Sequence, residues 1–155
     1  MADKEYRTLE TQVLLPYKLA YGQTWTRFFD GLKEEKIWGT KCPKCRRLLV
    51  PARTFCPRCF VNTDEWIECS QEGTLLSWSL TNYTYFAQPI DPPFITGLIK
   101  LDGVDANFLH LVGGDFDLSD LEDVRKNIKN GIRVKTVWQE EKKGHILDIK
   151  YFTPA

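Results

Sequence analysis

This sequence of 155 residues is poor in several features that mark common protein classes. It has no excess of positive charge, because 21 lysines and arginines are balanced by 21 aspartates and glutamates. The broad basic field that most nucleic-acid-binding proteins carry is therefore absent. No apolar run approaches the length that crosses a membrane. We therefore expect a soluble protein with neither a membrane nor a nucleic acid as its partner.

The residues that usually carry catalysis are also scarce. The chain has two histidines, and neither His110 nor His145 has an obvious acid–base partner nearby in the sequence. His110 falls on the same face of its predicted strand as Phe108 and Val112, which predicts a hydrogen-bonded position in the core. Cys69 lies outside the paired cysteines, and we expect it to be a small buried hydrophobic residue rather than a nucleophile. We therefore predict that this chain is not an enzyme by itself.

What the sequence does contain is a cysteine motif, CPKCRRLLVPARTFCPRC, at residues 42–59. Two Cys-x-x-Cys pairs, Cys42 with Cys45 and Cys56 with Cys59, have the spacing that brings four thiolates to one tetrahedral Zn²⁺. Four thiolates leave no coordination position for a water molecule. The motif therefore predicts a structural zinc site rather than a catalytic one.

Other interpretations of the cysteine motif fit less well. Two disulfides would suit an oxidising compartment, and a redox-active pair would suit a thioredoxin-like fold. The sequence has neither a recognisable secretory signal nor a βαβ context. Iron stays open as an alternative metal, because a site of four thiolates accepts it too. Reduced cysteines indicate a cytoplasmic protein.

The region before and around the motif predicts an arm, a helix and a small sheet. Residues 1–21 show no sustained period and are interpreted as an arm with apolar and aromatic residues available for docking. From Thr24 the apolar residues follow a helical period, with Trp25, Phe28, Phe29 and Leu32 on one face. Short strands are predicted at residues 37–41, 48–50 and 66–69.

The region after residue 73 alternates as β-strands do. The first predicted strand covers residues 74–86, and Leu76 with its alternate neighbours is expected to face a core. Beyond Asn82 the aromatic residues Tyr83 and Tyr85 fall on the opposite parity. Either a bulge shifts the register there, or the tyrosines lie outside as a contact surface.

The order of the remaining elements predicts the fold. They are strands at residues 94–101 and 104–112, a helix at 118–129 with Ser119 as its N-cap, and strands at 132–138 and 147–151. Three strands, a helix and two strands make an OB-fold barrel. We therefore predict a mainly β protein with an N-terminal arm and amphipathic helix (1–36), a rubredoxin-like zinc ribbon (37–70) and a five-stranded OB-fold barrel with one inserted helix (71–155).

The ribbon is strongly basic. No acidic residue lies between Glu35 and Asp64, whereas seven basic residues fall in or beside this range, namely Lys36, Lys41, Lys44, Arg46, Arg47, Arg53 and Arg58. Zinc with four thiolates carries two negative charges and offsets only part of this excess. Either the basic residues form an ordinary solvated face, or they bind a phosphate-bearing ligand, to which arginine donates paired hydrogen bonds.

At this point the chain resembles a known family. The landmarks, in order, are Trp25 and Phe28-Phe29 in the helix, the two cysteine pairs with Pro51-Ala52-Arg53 between them, Gly73, Pro92-Pro93-Phe94 and Ile128-x-x-Gly131-x-x-Val134. Over residues 22–152 this is similar to the zinc-ribbon/OB-fold proteins associated with acyl-CoA metabolism. The chain departs from the family in having Arg46 where glycine is common and Ala52 where a second proline is usual.

The resemblance implies a function. Members of this family are small non-catalytic accessory subunits of thiolase-like condensing enzymes and of related aldolases and synthases. We expect this chain to assist assembly of such a complex and its binding of coenzyme A, with an aromatic or dicarboxylic acyl-CoA as a possible substrate class. The expected coenzyme A contacts are Arg46, Arg47, Arg53, Phe55, Arg58, Tyr83 and Tyr85, with Phe60 as a further residue able to cover the base. The alternatives are a single-stranded nucleic-acid-binding module and a purely structural subunit.

Overall fold

The computed structural model describes residues 7–11, 13, 15–86 and 88–155. Helix α1 (Gly22–Lys33) comes first, followed by strands β1 (Ile37–Lys41), β2 (Leu48–Leu49) and β3 (Glu65–Cys69). The remaining elements are β4 (Glu72–Thr81), β5 (Phe94–Leu101), β6 (Phe108–Val112), α2 (Leu121–Asn127), β7 (Arg133–Trp138), a 3₁₀ turn (Ile146–Asp148) and β8 (Ile149–Pro154). No helix in these ranges has the length and apolar character needed to cross a bilayer. The predicted N-terminal arm, with its apolar patch at residues 13–16, lies partly outside the described residues.

The strands form a small sheet and a closed barrel. The sheet has the antiparallel order β2-β1-β3, and the barrel has the order β4-β5-β6-β8-β7 with β7 pairing back to β4. Strands β6 and β8 run parallel and meet at Val112 and Phe152. A closed five-stranded barrel with a helix between its third and fourth strands confirms the predicted OB fold.

One hydrophobic cluster joins the helix, the ribbon and the barrel. Phe28 and Leu32 of α1 are buried together with Ile37 of β1 and with barrel residues such as Ile99. Trp25, predicted on the same helix face, is instead 49% exposed. The buried face of α1 is therefore narrower than the spacing of its apolar residues predicts. Burial of these large side chains contributes roughly 1.5–3 kcal/mol each and holds the helix on the ribbon.

Gly31 allows the close approach of α1 to the ribbon. A Cβ atom at this position would lie 2.2 Å from Cδ1 of Trp38. That separation is far below van der Waals contact, so any side chain would push the indole away. The glycine that weakens the helix by propensity is therefore required by packing.

The first barrel strand differs from its prediction. Strand β4 ends at Thr81 rather than at residue 86, and its pairing with β5 is irregular between Leu75 and Ser77. This β-bulge reverses the parity, so Leu75 is fully buried and Leu76 is 40% exposed. The prediction that Leu76 faces the core was therefore wrong, because the register shift falls at this residue rather than near Asn82, whereas its alternate neighbours Trp78 and Leu80 do pack on the core as predicted.

The inserted helix is shorter than predicted and begins at a different residue. Helix α2 covers Leu121–Asn127, and the Asp120 side chain accepts a hydrogen bond of 2.9 Å from the backbone N–H of Glu122. The N-cap is therefore Asp120 and not Ser119. Asp and Ser are equally good N-caps, so the sequence pattern alone does not separate adjacent candidates.

The other barrel strands also differ at their ends. Strand β6 begins at Phe108 rather than at Val104, because a turn follows Asp102-Gly103. In β8 the buried aromatic residue is Phe152, whereas Tyr151 is half-buried. The β7–β8 pairing shifts register between Val137 and Trp138, which moves the inward side chain by one residue.

Two contacts fix the ribbon to the barrel. The backbone N–H of Leu48 in β2 donates to the Asp105 carboxylate at 2.9 Å, and the backbone N–H of Asp105 donates to the Leu48 carbonyl at 3.0 Å. On the other side, the Gln71 side chain donates to the Glu35 carbonyl at 2.6 Å. The short β2 strand thus has a partner on its outer side as well.

Candidate metal centre

The four paired cysteines lie on two knuckles of the same shape. In the first knuckle the Cys42 backbone N–H donates to the Arg47 carbonyl at 2.9 Å, and the Arg46 N–H donates to the Cys42 carbonyl at 3.0 Å. The second knuckle repeats this pattern, with bonds of 2.9 Å from Cys56 N–H to the Val61 carbonyl and from Phe60 N–H to the Cys56 carbonyl. These turns direct both cysteine side chains of each pair to the same point.

The turn geometry explains one departure from the family pattern. Arg46 and Phe60 each follow the second cysteine of a knuckle, and their φ angles are +63° and +54°. This left-handed conformation suits glycine, since a side chain there costs on the order of 1–3 kcal/mol. Glycine is therefore the usual residue at this place. This chain instead has Arg46 and Phe60 at the two equivalent positions, and each has a strained backbone.

The sulfur atoms have the arrangement that a tetrahedral metal requires. All four Sγ atoms lie within 4.8 Å of one another, and Cys45 Sγ is 3.8 Å from Cys56 Sγ. Sulfurs at about 2.3 Å from a central Zn²⁺ are about 3.8 Å apart in a regular tetrahedron. All five cysteines of the chain are free, so the disulfide alternative was wrong. The ribbon thus has four cysteines positioned to bind a metal ion.

The environment of the sulfurs affects their protonation. A backbone N–H of Cys45, 3.4 Å from Cys42 Sγ, lowers the pKa of the Cys42 thiol to about 6. Burial raises the pKa of the Cys59 thiol to about 12. Zinc binds thiolates, so metal binding at this site releases protons and stabilises the charged form of all four sulfurs. Structural zinc sites of this kind contribute folding energy directly.

A buried hydroxyl network supports the loop between the knuckles. The Thr40 hydroxyl and the Arg53 backbone exchange hydrogen bonds of 2.9 Å in both directions. The Thr63 hydroxyl also donates to the Arg53 carbonyl, and both threonines are buried. The network orders the backbone of Arg53 and leaves its side chain exposed. The sequence signal that could have predicted this network is Thr40, a polar residue buried within β1.

A second feature that sequence reasoning missed is the stacking of Arg27. Its guanidinium carbon lies 4.3 Å from the centre of the Trp66 ring and 5.7 Å from that of Trp38. The arginine thereby joins α1 to the central strand β1 and the edge strand β3 of the ribbon sheet. Arginine stacks on tryptophan more readily than lysine does, because its charge is planar and weakly hydrated.

The predicted coenzyme A contacts all lie on exposed loops. The exposed ribbon residues are Arg46, Arg47, Arg53, Phe55 and Arg58, and the exposed residues of the β4–β5 loop are Tyr83 and Tyr85. Of the two alternatives for these tyrosines, the outward position is therefore observed. Among the described residues, Arg46 lies 3.9 Å from Glu65, and the other three arginines form no ion pair. Their charges are thus available to an anionic ligand.

The candidate catalytic residues have structural roles. Cys69 is 7% exposed, and burial raises the pKa of its thiol to about 11, which favours the protonated thiol over the nucleophilic thiolate at neutral pH. His110 is buried, and its Nε2 lies 3.0 Å from the Ile146 carbonyl. The predictions of a buried cysteine and a core histidine are confirmed. His145 caps the 3₁₀ turn, with its Nδ1 accepting the Leu147 N–H at 3.2 Å.

A four-cysteine ribbon attached to a closed five-stranded barrel defines a zinc-ribbon/OB-fold protein. Residues 29–64 match the model of the ChsH2 rubredoxin-like zinc ribbon domain, and residues 66–139 match that of the ChsH2 C-terminal OB-fold domain. Together the two matches cover well over half of the chain. The chain therefore belongs to the ChsH2 family. No curated protein matches it.

Solved structures similar to this chain include the following two. One is a DUF35-family protein of unknown function from Sulfolobus solfataricus, with 28% identity and a TM-score of 0.57, covering 75% of this chain and 78% of that one. The other is described as an Ltp2-ChsH2(DUF35) aldolase, with 18% identity and a TM-score of 0.63, covering 88% of this chain and 98% of that one. The second likeness supports the fold alone.

Proposed function

We propose that this chain is a non-catalytic accessory subunit of a thiolase-type enzyme that acts on an acyl-CoA. Its role is to assist assembly of the complex and binding of coenzyme A. The related Ltp2-ChsH2(DUF35) structure supports this proposal, because it is described as an aldolase that contains a ChsH2 chain together with Ltp2. Membership in the ChsH2 family supports it as well.

The observation that carries the proposal is the amount of exposed apolar side chain. In the arm, Leu9 is 89% exposed and Tyr17 is 83% exposed. The ribbon exposes Phe60, and the β4–β5 loop exposes Tyr83 and Phe86. A chain that functions alone gains nothing from leaving so many large apolar groups in water, whereas a subunit covers them with its partner.

Contacts with coenzyme A are supported by charge and by aromatic residues. Coenzyme A is a polyanion with an adenine base and a long neutral arm. The ribbon arginines at positions 46, 47, 53 and 58 offer paired donors to phosphate, and Phe55, Tyr83 and Tyr85 offer flat surfaces to the base or the arm. We propose these residues as the coenzyme A contacts within the assembled complex, with an aromatic or dicarboxylic acyl-CoA as the substrate.

The compartment follows from the same chemistry. All five cysteines are free thiols, and four of them are grouped for a metal. Such a site is stable in a reducing environment, where thiols are not oxidised to disulfides. These thiols support our proposal that the protein works in the cytoplasm.

The surface of the barrel does not favour the nucleic-acid alternative. OB folds bind oligonucleotides on the face of their second and third strands, here β5 and β6. The outward residues of this face include Leu98, Leu109 and Leu111, and Lys100 is the cation that β5 adds to it. An apolar face with so little positive charge suits a protein partner better than a phosphate backbone.

Reconstitution tests the proposed function. The chain is co-expressed with zinc and a thiolase-type enzyme from the same organism, captured through a tag on this chain, and sized by light scattering. We expect a stable hetero-oligomer that binds coenzyme A more tightly in calorimetry than either subunit does alone. Absence of a complex would overturn the proposal, and salt-sensitive binding to single-stranded DNA by the chain alone would favour the alternative.

A further inference from the structure

Phe60, at the tip of the second zinc knuckle, has features that the fold itself does not explain. Its φ angle of +54° lies in the left-handed region, which bulky residues rarely occupy. The position needs that backbone conformation, because the Phe60 N–H closes the knuckle on the Cys56 carbonyl. Glycine would meet the same requirement without strain. The phenyl ring therefore makes the turn less favourable.

Most of the ring lies in water. Phe60 is 82% exposed, and among the described residues its ring forms no aromatic pair. A strained backbone and an apolar ring in water are two separate costs at one residue. Strain that the fold does not require points to a role in function.

From this we propose that Phe60 is the aromatic anchor by which the ribbon docks into an apolar, acid-rimmed pocket on the partner enzyme. This inference rests on the proposed function for the identity of the partner and adds the residue and the chemistry of contact. Interface residues that dominate affinity are typically aromatic side chains or arginines that a partner pocket covers completely. An aromatic ring at a protruding turn is suited to insertion into such a pocket.

The surroundings of Phe60 indicate the chemistry of the pocket. Phe55 is 51% exposed and belongs to the same knuckle, where it pairs with Asn62. Arg58 and Arg53 are exposed and form no ion pair among the described residues. The anchor thus has an apolar neighbour and a basic rim, and the complementary surface is an apolar pocket edged by aspartate or glutamate. In this arrangement Arg53 and Arg58 meet the carboxylates of the partner, and Arg46 and Arg47 remain for the phosphates of coenzyme A.

The shape of the site favours a protein over a nucleotide. Small-molecule sites are concave and cover most of their ligand. The clefts beside α1 and beside the β7–β8 loop are lined by other residues, such as Arg27 and Lys143, and not by Phe60. A ring on a protruding tip enters a cavity in its partner more readily than it forms one. Stacking of the ring on the adenine of coenzyme A is thus the competing outcome.

The substitution Phe60→Gly distinguishes a role in docking from a role in folding. We expect it to raise the stability of the chain and to lower its affinity for the enzyme. Removing the ring relieves the strained backbone, so we expect the denaturation midpoint of the zinc-loaded full chain to rise. Its affinity for the thiolase-type enzyme should fall roughly thirtyfold or more, as measured by surface plasmon resonance. Phe60→Ala removes the ring but keeps the strain, so it should lose affinity without the gain in stability.

Glu35→Gly is the matched control, because Glu35 has the same left-handed conformation, with a φ angle of +59°, outside the knuckles and the proposed contacts. We expect relief of the same backbone strain, partly offset by loss of the exposed ion pair with Lys142, and no loss of affinity for the enzyme. The inference is overturned if Phe60→Gly binds the enzyme as the natural chain does, or if Glu35→Gly loses as much affinity. It is also overturned if Phe60→Gly weakens binding of coenzyme A to the chain alone. If the natural chain itself does not bind the enzyme, the proposed function and this inference both fail.

Discussion

The ribbon and the barrel are stabilised in different ways. The interior of the ribbon that lies apart from the shared core consists of Cys42, Leu49 and Cys56 with partly buried neighbours, so it is small and made largely of metal ligands. The barrel has a conventional core of large apolar side chains such as Ile99 and Phe152. A small region with so little apolar burial depends on its metal. Because the ligands hold the ribbon together, its other side chains are free to serve a partner.

Removing a metal ligand tests whether the ribbon depends on its metal. Of the substitutions proposed here, it has the largest expected effect on stability. Cys56→Ala leaves three thiolates, so we expect loss of stoichiometric zinc and unfolding of the ribbon. Zinc binding in such sites contributes about 10–16 kcal/mol of folding free energy. The measurements are metal content by mass spectrometry and the amide chemical shifts of residues 37–69.

Cys69→Ala is the control for the metal ligand. Cys69 is buried outside the cysteine cluster, so this variant should retain one zinc per chain. The barrel resonances of Cys56→Ala should persist, because β4–β8 close without the ribbon. A Cys56→Ala chain that keeps one zinc and a native ribbon would contradict the structural role of the metal.

Removing a core side chain tests the barrel side and has the next largest effect. Phe152 is fully buried and packs edge-to-face on Phe108 with ring centres 6.1 Å apart. Phe152→Ala should lower the free energy of unfolding by about 3–5 kcal/mol. Denaturant titration measures this, and zinc content should stay at one per chain at low denaturant.

Leu109→Ala is the matched barrel control. Leu109 lies on β6 and is 63% exposed, so its truncation should change the stability of the isolated chain by about 0.5 kcal/mol or less. If Leu109→Ala is as damaging as Phe152→Ala, the assignment of the inner and outer faces of the barrel is wrong.

Acidification has the smallest expected effect on stability, and it acts through His110 in the barrel. Burial lowers the pKa of His110, so the folded chain keeps this side chain neutral at a pH where the unfolded chain takes up a proton. Stability should therefore fall as the pH drops below about 6.5, the ordinary histidine pKa, until the folded form is protonated too. Denaturant midpoints between pH 7.5 and 5 measure this loss.

The control for acidification is His110→Gln, which keeps a polar group within reach of the Ile146 carbonyl but does not titrate. Both chains share the zinc site, so acid release of the metal cancels in their difference. The variant should lose less stability than the natural chain over the same pH range. Equal losses would show that His110 is not the group responsible.

Local patterns predicted the parts of this molecule that local chemistry determines. The cysteine spacing predicted a four-thiolate group, and the four sulfurs do lie together. The bounds of β5 were predicted correctly because a proline turn precedes it and Asp102-Gly103 follows it. In β4 the inward positions of Trp78 and Leu80 were predicted correctly, but that of Leu76 was not, because the bulge there arises from the pairing with β5 rather than from the residues of β4.

The strained knuckle residues show why some features of the site could not be predicted from the sequence. The left-handed φ of Phe60 is produced by closure of a turn on Cys56, and a phenylalanine carries no signal for such a conformation. The available signal was the equivalent place of Arg46, where related proteins commonly have glycine. The coenzyme A contacts stay a prediction, because exposed side chains adopt their final positions only in contact with a ligand.

The paired hydrogen bonds between Leu48 and Asp105 have a consequence for recognition. They restrain the distance between the zinc knuckles and the outer face of β5 and β6. An enzyme that grips one of these surfaces therefore meets the other already aligned, and little rotational freedom is lost on the second contact. The chain would act on its partner as a rigid two-pronged bracket rather than as two lobes on a tether.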